Sequence, residues 1–466
     1  VIGKLLNKLF KTANTVTASI SDQEIAQGLK ASVADLEQAM QGDFDERLKD
    51  LLPALNTFGF PSINDTELRP HTTIDVESLL TDNTRILYTG ADGVHLPEGY
   101  NGLGTRNLIY ILLQLEALHK AYRSSAMRPA THLVFIEEPE AHLHPQMQEV
   151  FISQLNAAVA TLSQKYPVEP VWQVQFIVST HSSHLANAAQ FDAIRYFLNE
   201  PTAHAGVRRT KVKDFRRGAE AISPEDRRFL QQYMTLTKCD LYFADKAILV
   251  EGATERILMP RISKILDADL PADSKLSRQY ITTIEAGGAH AQVFYPLLEF
   301  LELKTLVISD LDAVRLLDSK WRKCPCAEGE RTSNSALRAW FDEHHISVHD
   351  LMAKTTADKT KGFCRIAFQM PEDGSAHCAR SYEDALILAN LADFEIADDA
   401  EAAKNAWETA QDFKKSEEAI KFAVREENWN VPRYIREGLI WLSEPTPPPD
   451  APPPIVHDGE PGEPAV

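Results

Sequence analysis

Two segments of the chain run from an apolar, strand-length stretch straight into acids. In "KAILVEGATERILMPRI", residues 246 to 262, the run Ala247 to Val250 ends at Glu251 and Gly252, and Glu255 follows four residues later. In "KTLVISDLDAV", residues 304 to 314, the run Thr305 to Ile308 leads to Asp310 and Asp312. Buried strands that finish in carboxylates bring negative charge to the carboxyl edge of a sheet, where α/β proteins bind ligands. Acids that converge there repel and push one another's pKa up, and a divalent cation removes that cost. Residues i and i+2 of an extended chain point to one side, so Asp310 and Asp312 are expected to share an ion. Glu255 falls in the first turn of the following helix, where an acid suits the helix dipole. An all-carboxylate set suits Mg²⁺ and Mn²⁺ alike. The bland alternative is a scatter of solvated acids at strand ends.

A second chemistry lies upstream. In "THLVFIEEPEAHLHP", residues 131 to 145, Leu133 to Ile136 run into Glu137 and Glu138. One such carboxylate can hold Mg²⁺ and the other can polarise an attacking water. In "FIVSTHSSHLAN", residues 176 to 187, another apolar run ends at Ser179, Thr180 and His181, so His181 is placed to sense a γ-phosphate. In "NGLGTRNLIYILLQLEAL", residues 101 to 118, Gly102 and Gly104 precede a long apolar helix whose free N–H groups could hold an anion. No G-x-x-x-x-G-K-[ST] phosphate loop occurs in the sequence.

The elements that must position these groups follow from the pattern of the chain. With 466 residues, 44% hydrophobic and 25% charged, it has room for two or three ordinary globular domains. No apolar run approaches the roughly 18 residues of a membrane span. Five cysteines suit free thiols in a reducing cytoplasm better than a disulfide framework, and Cys324 and Cys326 lack the second pair that a zinc site needs. A net charge of −19 argues against a broadly basic nucleic-acid coat, leaving "RRTKVKDFRR", residues 208 to 217, as a local candidate. Its arginines Arg208, Arg209, Arg216 and Arg217 are the expected DNA contacts, the alternative being a solvated linker.

Alternating strand and helix patterns predict an α/β fold with largely parallel sheets. The expected divisions are a helical segment, 1–84, with an amphipathic stretch from Ile25 to Met40 as a homodimer face; an α/β lobe, 85–205; a basic linker, 206–242; a second α/β domain, 243–400; a helical element, 401–443; and a disordered Pro-rich tail, 444–466.

Asn101 to Arg106, Glu137 with Glu138, and His181 resemble in this order the signature loop, Walker B pair and switch histidine of an ABC-type ATPase head. The resemblance implies ATP as ligand and an upstream phosphate loop, so the chain is expected to be the C-terminal part of a longer polypeptide. Strand–Glu-Gly–helix followed by strand–Asp-x-Asp resembles the Toprim domain. An ABC-type head followed by Toprim is similar to the OLD (overcoming lysogenization defect) nucleases. That likeness implies Glu251, Glu255, Asp310, Asp312 and Glu383 around two Mg²⁺ or Mn²⁺ ions, with "ERTSNSAL" and "RSYEDALIL" bordering the site. It also implies a catalytic lysine in "FKKSEEAIKF", best matched by Lys415. The implied activity is two-metal cleavage of DNA. A topoisomerase-like enzyme, a primase and a DNA-clamping ATPase with an inactive Toprim module remain as alternatives. A topoisomerase needs a nucleophilic tyrosine, and Tyr280, Tyr295, Tyr382 and Tyr434 lie in no recognisable nucleophile context.

Overall fold

The computed structural model describes residues 20–56, 74, 87–89, 95–97, 103–201, 207–218, 222–237, 240–287, 290–425 and 427–445. The chain forms two compact units, Val1–Ala188 and Ala189–Val466. Both are mixed α/β, as the alternating pattern predicts.

In the N-terminal unit, the strands His132–Glu137 and Val174–Ser179 pair in parallel, with Glu137 opposite Ser179. Ile136, Phe176 and Val178 pack on Leu143, Phe151, Leu155 and Leu185, so the helices Pro145–Lys165 and Ser183–Ala188 cover one face of the pair. The other face carries Leu133, Phe135 and Ile177 and is exposed. The helix Ile20–Asn56 buries Ala26 and Val33, while Ile25, Leu36 and Met40 of its expected dimer stripe are exposed.

The C-terminal unit is built on a five-stranded sheet. Its order is Thr360–Lys361, Cys364–Ala367, Lys304–Ile308, Lys246–Val250, Ile281–Glu285, and the last four strands are parallel. The two acid-bearing strands are therefore neighbours, and each is buried at every residue. The helix Ala253–Leu266 contributes Leu258 and Ile262 to the core, and the helix Arg433–Ser443 contributes Ile435, Leu439 and Leu442. Gly438 lets that last helix lie close on the sheet, since a Cβ there would stand 2.8 Å from Leu306 Cδ1. At the amino edge of the sheet, Lys246 and Lys304 sit side by side. Lys246 Nζ donates to the carbonyls of Leu442 and Glu444 at 2.6 and 2.7 Å, and Lys304 Nζ to those of Trp441 and Glu444 at 2.7 and 2.8 Å. They satisfy carbonyls that the helix end leaves open. Burial and the neighbouring Lys304 charge hold the Lys246 pKa down to about 8.

A second sheet, antiparallel, starts one residue after Asp312: Ala313–Leu317 pairs with Lys320–Lys323 and with Arg331–Thr332. Asp318 and Ser319, at φ 50 and 62°, form its two-residue turn.

One expected element differs. The stretch read as a basic linker holds a strand, Arg208–Asp214, paired antiparallel with Arg195–Pro201, and the helices Phe215–Gly218 and Pro224–Thr237. The charge run hid a period of two. Arg209, Lys211 and Lys213 alternate along the strand, and each meets Glu200, Glu302 or both. Downstream, the helices Ala402–Gln411, Lys415–Val424 and Arg433–Ser443 agree with the helical pattern expected there. The four described cysteines, Cys324, Cys326, Cys364 and Cys378, are free thiols, and Cys239 lies outside the described residues. Among the described residues no helix is long and apolar enough to cross a membrane. The Pro-rich tail lies outside them from residue 446.

Candidate active site

The parallel pairing of Lys246–Val250 with Lys304–Ile308 sets their carboxyl ends together. Glu251 Oε1 accepts hydrogen bonds from Ser309 Oγ (2.6 Å), Asp310 N (3.0 Å) and Asn334 Nδ2 (2.7 Å). Asn334 is also the N-cap of the helix Ser335–Phe341, its Oδ1 accepting from Ala336 N and Leu337 N. One side chain thus starts a helix and fixes the catalytic candidate. Burial still outweighs these three donors, and with the charge of Asp312 it raises the Glu251 pKa. Asp310 is raised well above the ordinary carboxylate range, first by desolvation, then by Glu251, Glu255, Glu383 and Asp312. Gln369 holds it, with Nε2 donating to Asp310 Oδ1 at 2.7 Å and Oε1 accepting from Leu311 N at 2.6 Å. Tyr434 Oη lies 3.2 Å from the same Nε2.

Glu255 sits in the first turn after Gly252 and is buried. Desolvation first, then Glu383 and Glu251, push its pKa up to about 7. Glu383 is buried beside it in the helix Tyr382–Ala389. Lys415 Nζ, at the start of its helix, lies 2.6 Å from Glu383 Oε1. Burial works against the Lys415 ammonium, but the hydrogen bond and charge of Glu383, with Asp310 and Glu255, prevail and raise its pKa. The neighbouring Lys414 turns away to Glu417 at 3.2 Å, which separates the two lysines that the sequence leaves adjacent.

Asp312 departs from the expected geometry. Its φ is +49°, so Asp310 and Asp312 do not lie on one extended segment and the i, i+2 argument fails there. Its carboxylate instead pairs with Arg380, whose own carbonyl accepts from Asp312 N at 3.0 Å. Arg380 is fixed in turn by Asp384, which accepts from Arg380 N (2.6 Å), Ser381 N and Ser381 Oγ (both 2.7 Å). Five carboxylates therefore border one sheet edge, yet no three His, Cys, Asp or Glu side chains among the described residues form a ready cage. Protein cations and amides occupy part of four of them: Arg380 on Asp312, Lys415 on Glu383, Asn334 on Glu251 and Gln369 on Asp310. The repelling, oxygen-only donor set fits a hard divalent cation.

Sequence reasoning missed Ser309, Gln369 and Arg380. Gln369 had a signal: "RIAFQ" is a third apolar run ending in a polar group at the same edge. Arg380 had another in the S-x-x-D capping box, Ser381 to Asp384, that follows it.

In the N-terminal unit, Glu138 leaves the strand at φ +43°, and its Oε1 stands 3.5 Å from His181 Nε2. Both side chains are open, 60% and 82% exposed, so a ligand can reach them. Glu137 is exposed at the strand end. The His181 amide is held by Glu140 Oε1 at 2.7 Å. Gly104 has a packing reason to be glycine: a Cβ there would stand 2.5 Å from the His142 carbonyl oxygen, in the turn after Glu138. Gly102 lies outside the described residues. Of the expected DNA-contacting arginines, Arg209 is paired with Glu200, and Arg208, Arg216 and Arg217 are exposed.

Residues 1–186 match the AAA ATPase domain family, and residues 242–312 match the Overcoming lysogenization defect protein-like TOPRIM domain family. The chain is 27% identical over 392 residues to Endonuclease GajA of Bacillus cereus, an alignment covering 75% of this chain and 54% of that protein. It is 27% identical over 233 residues to the OLD nuclease of Thermus scotoductus, covering 50% of this chain and 39% of that protein. It is 26% identical over 219 residues to the Old nuclease of Escherichia phage P2, covering 45% and 33%. The chain thus spans about half or less of the length of these curated relatives. Strand tips that gather acids in both units, and these three likenesses, make the chain an AAA ATPase domain joined to an OLD-like TOPRIM domain, homologous to GajA and the OLD nucleases.

Proposed function

We propose that the C-terminal unit is an endonuclease that cuts or nicks DNA at the edge bearing Glu251 and Asp310. The observation that carries this reading is the crowd of buried and half-buried carboxylates at one sheet edge with a lysine 2.6 Å from Glu383. Glu251, Glu255, Asp310, Asp312 and Glu383 would hold Mg²⁺ or Mn²⁺. A pair of such ions would activate a water and stabilise the leaving oxygen. Lys415, a cation with a side chain 66% exposed, is available to a substrate phosphate and would offset its growing charge. Asn334 and Gln369 keep Glu251 and Asp310 in one orientation, and Arg380 would release or retain Asp312 as the site loads. Glu137, Glu138 and His181 would serve ATP hydrolysis that controls cutting, with the Ile25 to Met40 stripe as a homodimer face. The domain divisions expected from the sequence are part of the same proposal, with the strand at Arg208–Asp214 in place of a linker.

The topoisomerase alternative has less support. Tyr382 and Tyr434 are buried, and desolvation raises the pKa of both and of Tyr295. Tyr280 is 77% exposed but precedes the strand Ile281–Glu285, at the edge opposite the acids. The deciding experiment incubates supercoiled plasmid with the protein in Mg²⁺ or Mn²⁺, with and without EDTA. Nicked or linear product that disappears in EDTA is expected. A covalent protein–DNA adduct, or a protein inert in both metals on every plasmid form, would sink the reading.

A further inference from the structure

The antiparallel sheet that starts at Ala313 carries cations for which the site itself has no use. The hairpin sequence is "AVRLLDSKWRK", and its second strand, Lys320–Lys323, is exposed at all four positions. Arg315 lies directly opposite Arg322, and Leu317 opposite Lys320, so Arg315, Lys320 and Arg322 share one face. Like charges directly across a ladder destabilise it. Arg315 is compensated by Glu328. Among the described residues, Lys320, Arg322 and Lys323 have no carboxylate partner. On the other face, with Lys323, the half-buried Arg331 guanidinium lies 3.6 Å from the centre of the Trp321 ring and 2.7 Å from His345 Nδ1.

The contrast with the Arg208–Asp214 strand is informative. There the alternating cations are matched by Glu200 on the paired strand and by Glu302 at the end of a separate helix. At Lys320–Lys323 no such internal match exists, although the chain as a whole carries −19. Cations left unmatched in an acidic chain point to an external polyanion.

Position supplies the second argument. The hairpin begins at the residue after Asp312, and Ser333 N at its base donates to Asp312 O at 3.0 Å. Five residues of strand reach about 15 Å, which is about four or five base-pair steps of duplex.

We propose that this hairpin is a DNA-backbone clamp for the nuclease site, with Lys320 and Arg322 on one face and Lys323 on the other binding phosphates flanking the cut, and Trp321 positioning Arg331 on the face of Lys323. The clamp takes its substrate from the nuclease reading above. It binds without sequence preference, because phosphates position and base edges specify.

The test measures binding of the full chain to a short fluorescent duplex in EDTA, across a range of salt. Every cation–phosphate pair that a substitution abolishes lowers the slope of log affinity against log salt by about 0.9. Combined Lys320→Ala, Arg322→Ala and Lys323→Ala is expected to lower the slope by roughly 2 to 3. The charge-matched set Lys264→Ala, Lys404→Ala and Lys421→Ala, on exposed helix positions, should leave it unchanged. Trp321→Ala should lower the slope by about one unit and Trp321→Phe should not, because phenylalanine keeps a ring under Arg331. An unchanged slope in the triple variant, or an equal fall in the control set, overturns the clamp. Plasmid cleavage separates the two ideas. A parent that cuts, with a triple variant that binds and cuts alike, fails the clamp alone. A parent that never cuts but loses DNA binding in the triple variant fails the nuclease reading alone.

Discussion

The two units use one sequence device, an apolar strand that runs into acids, and it comes to different ends. Behind Glu137 and Glu138 the strand His132–Glu137 is covered on one face only among the described residues, and both acids are exposed. Behind Glu251 and Asp310 the strands are covered on both faces, and the acids crowd a poorly hydrated edge where their pKa values rise. The motif alone does not decide how strongly a carboxylate is perturbed. The layers stacked on the strand behind it do, by removing the water that would otherwise screen the acids from one another.

If burial and crowding make the C-terminal edge the reactive one, the two edges should respond unequally to mutation. The largest contrast is expected in cleavage itself: Asp310→Ala or Glu251→Ala should abolish plasmid nicking, while Glu138→Gln leaves nicking without ATP unchanged. Equal loss from Glu138→Gln would break the comparison. Next, Lys415→Ala should slow cleavage by about 10²–10³ while calorimetry finds metal affinity intact. A parallel loss of metal binding would move Lys415 from charge stabilisation to site assembly. Asn334→Ala should cost about 10–100-fold in metal affinity, because Glu251 loses a donor and the helix its cap. Titration with Mn²⁺ checks this.

Proton competition should add a pH signature. Glu255 is raised to about 7, so below that pH a proton must leave before it can bind a cation. Apparent metal affinity should then climb with pH, with Glu255 contributing up to about tenfold per unit below 7. A flat profile from pH 5 to 8 would remove Glu255 from the ligand set. The smallest expected effect concerns stability without metal. Asp310→Asn keeps an acceptor for Gln369 and removes a crowded charge, so in EDTA it should raise the thermal midpoint by about 2–4 °C per kcal/mol relieved. Glu138→Gln, at an open edge, should leave the midpoint alone. Differential scanning calorimetry distinguishes them.

Much of this architecture was legible in the sequence. The strands ending at Glu251 and before Asp310 were readable because a fully buried strand is a short continuous apolar run. Their adjacency agreed with the parallel α/β pattern, and Lys415 was separable from Lys414 only by side-chain direction, which periodicity does not give. The direction of Asp312 is not legible, because a left-handed residue breaks the extended geometry that the i, i+2 argument assumes. The linker at 206–242 was misread because charge masked alternation, and the acids that compensate it come from other strands and turns, Glu200 and Glu302. The Lys320–Lys323 hairpin escaped notice because its turn is Asp-Ser, without the glycine that normally marks a two-residue hairpin. Arg380 and Gln369 act across 68 and 59 residues of sequence, beyond any local pattern.

The helix Arg433–Ser443 behaves as a tie-rod. One end is anchored at the amino edge by two lysines, and the other reaches the carboxyl edge through Tyr434 and Gln369 to Asp310. The Toprim unit therefore cannot be trimmed at its last strand, Cys364–Ala367, without slackening the reactive edge. An excised C-terminal unit has to run through Glu444, whose carbonyl both lysines grip. Anything that pulls on the chain beyond that point is wired, through one rigid rod, to the carboxylate at the other end.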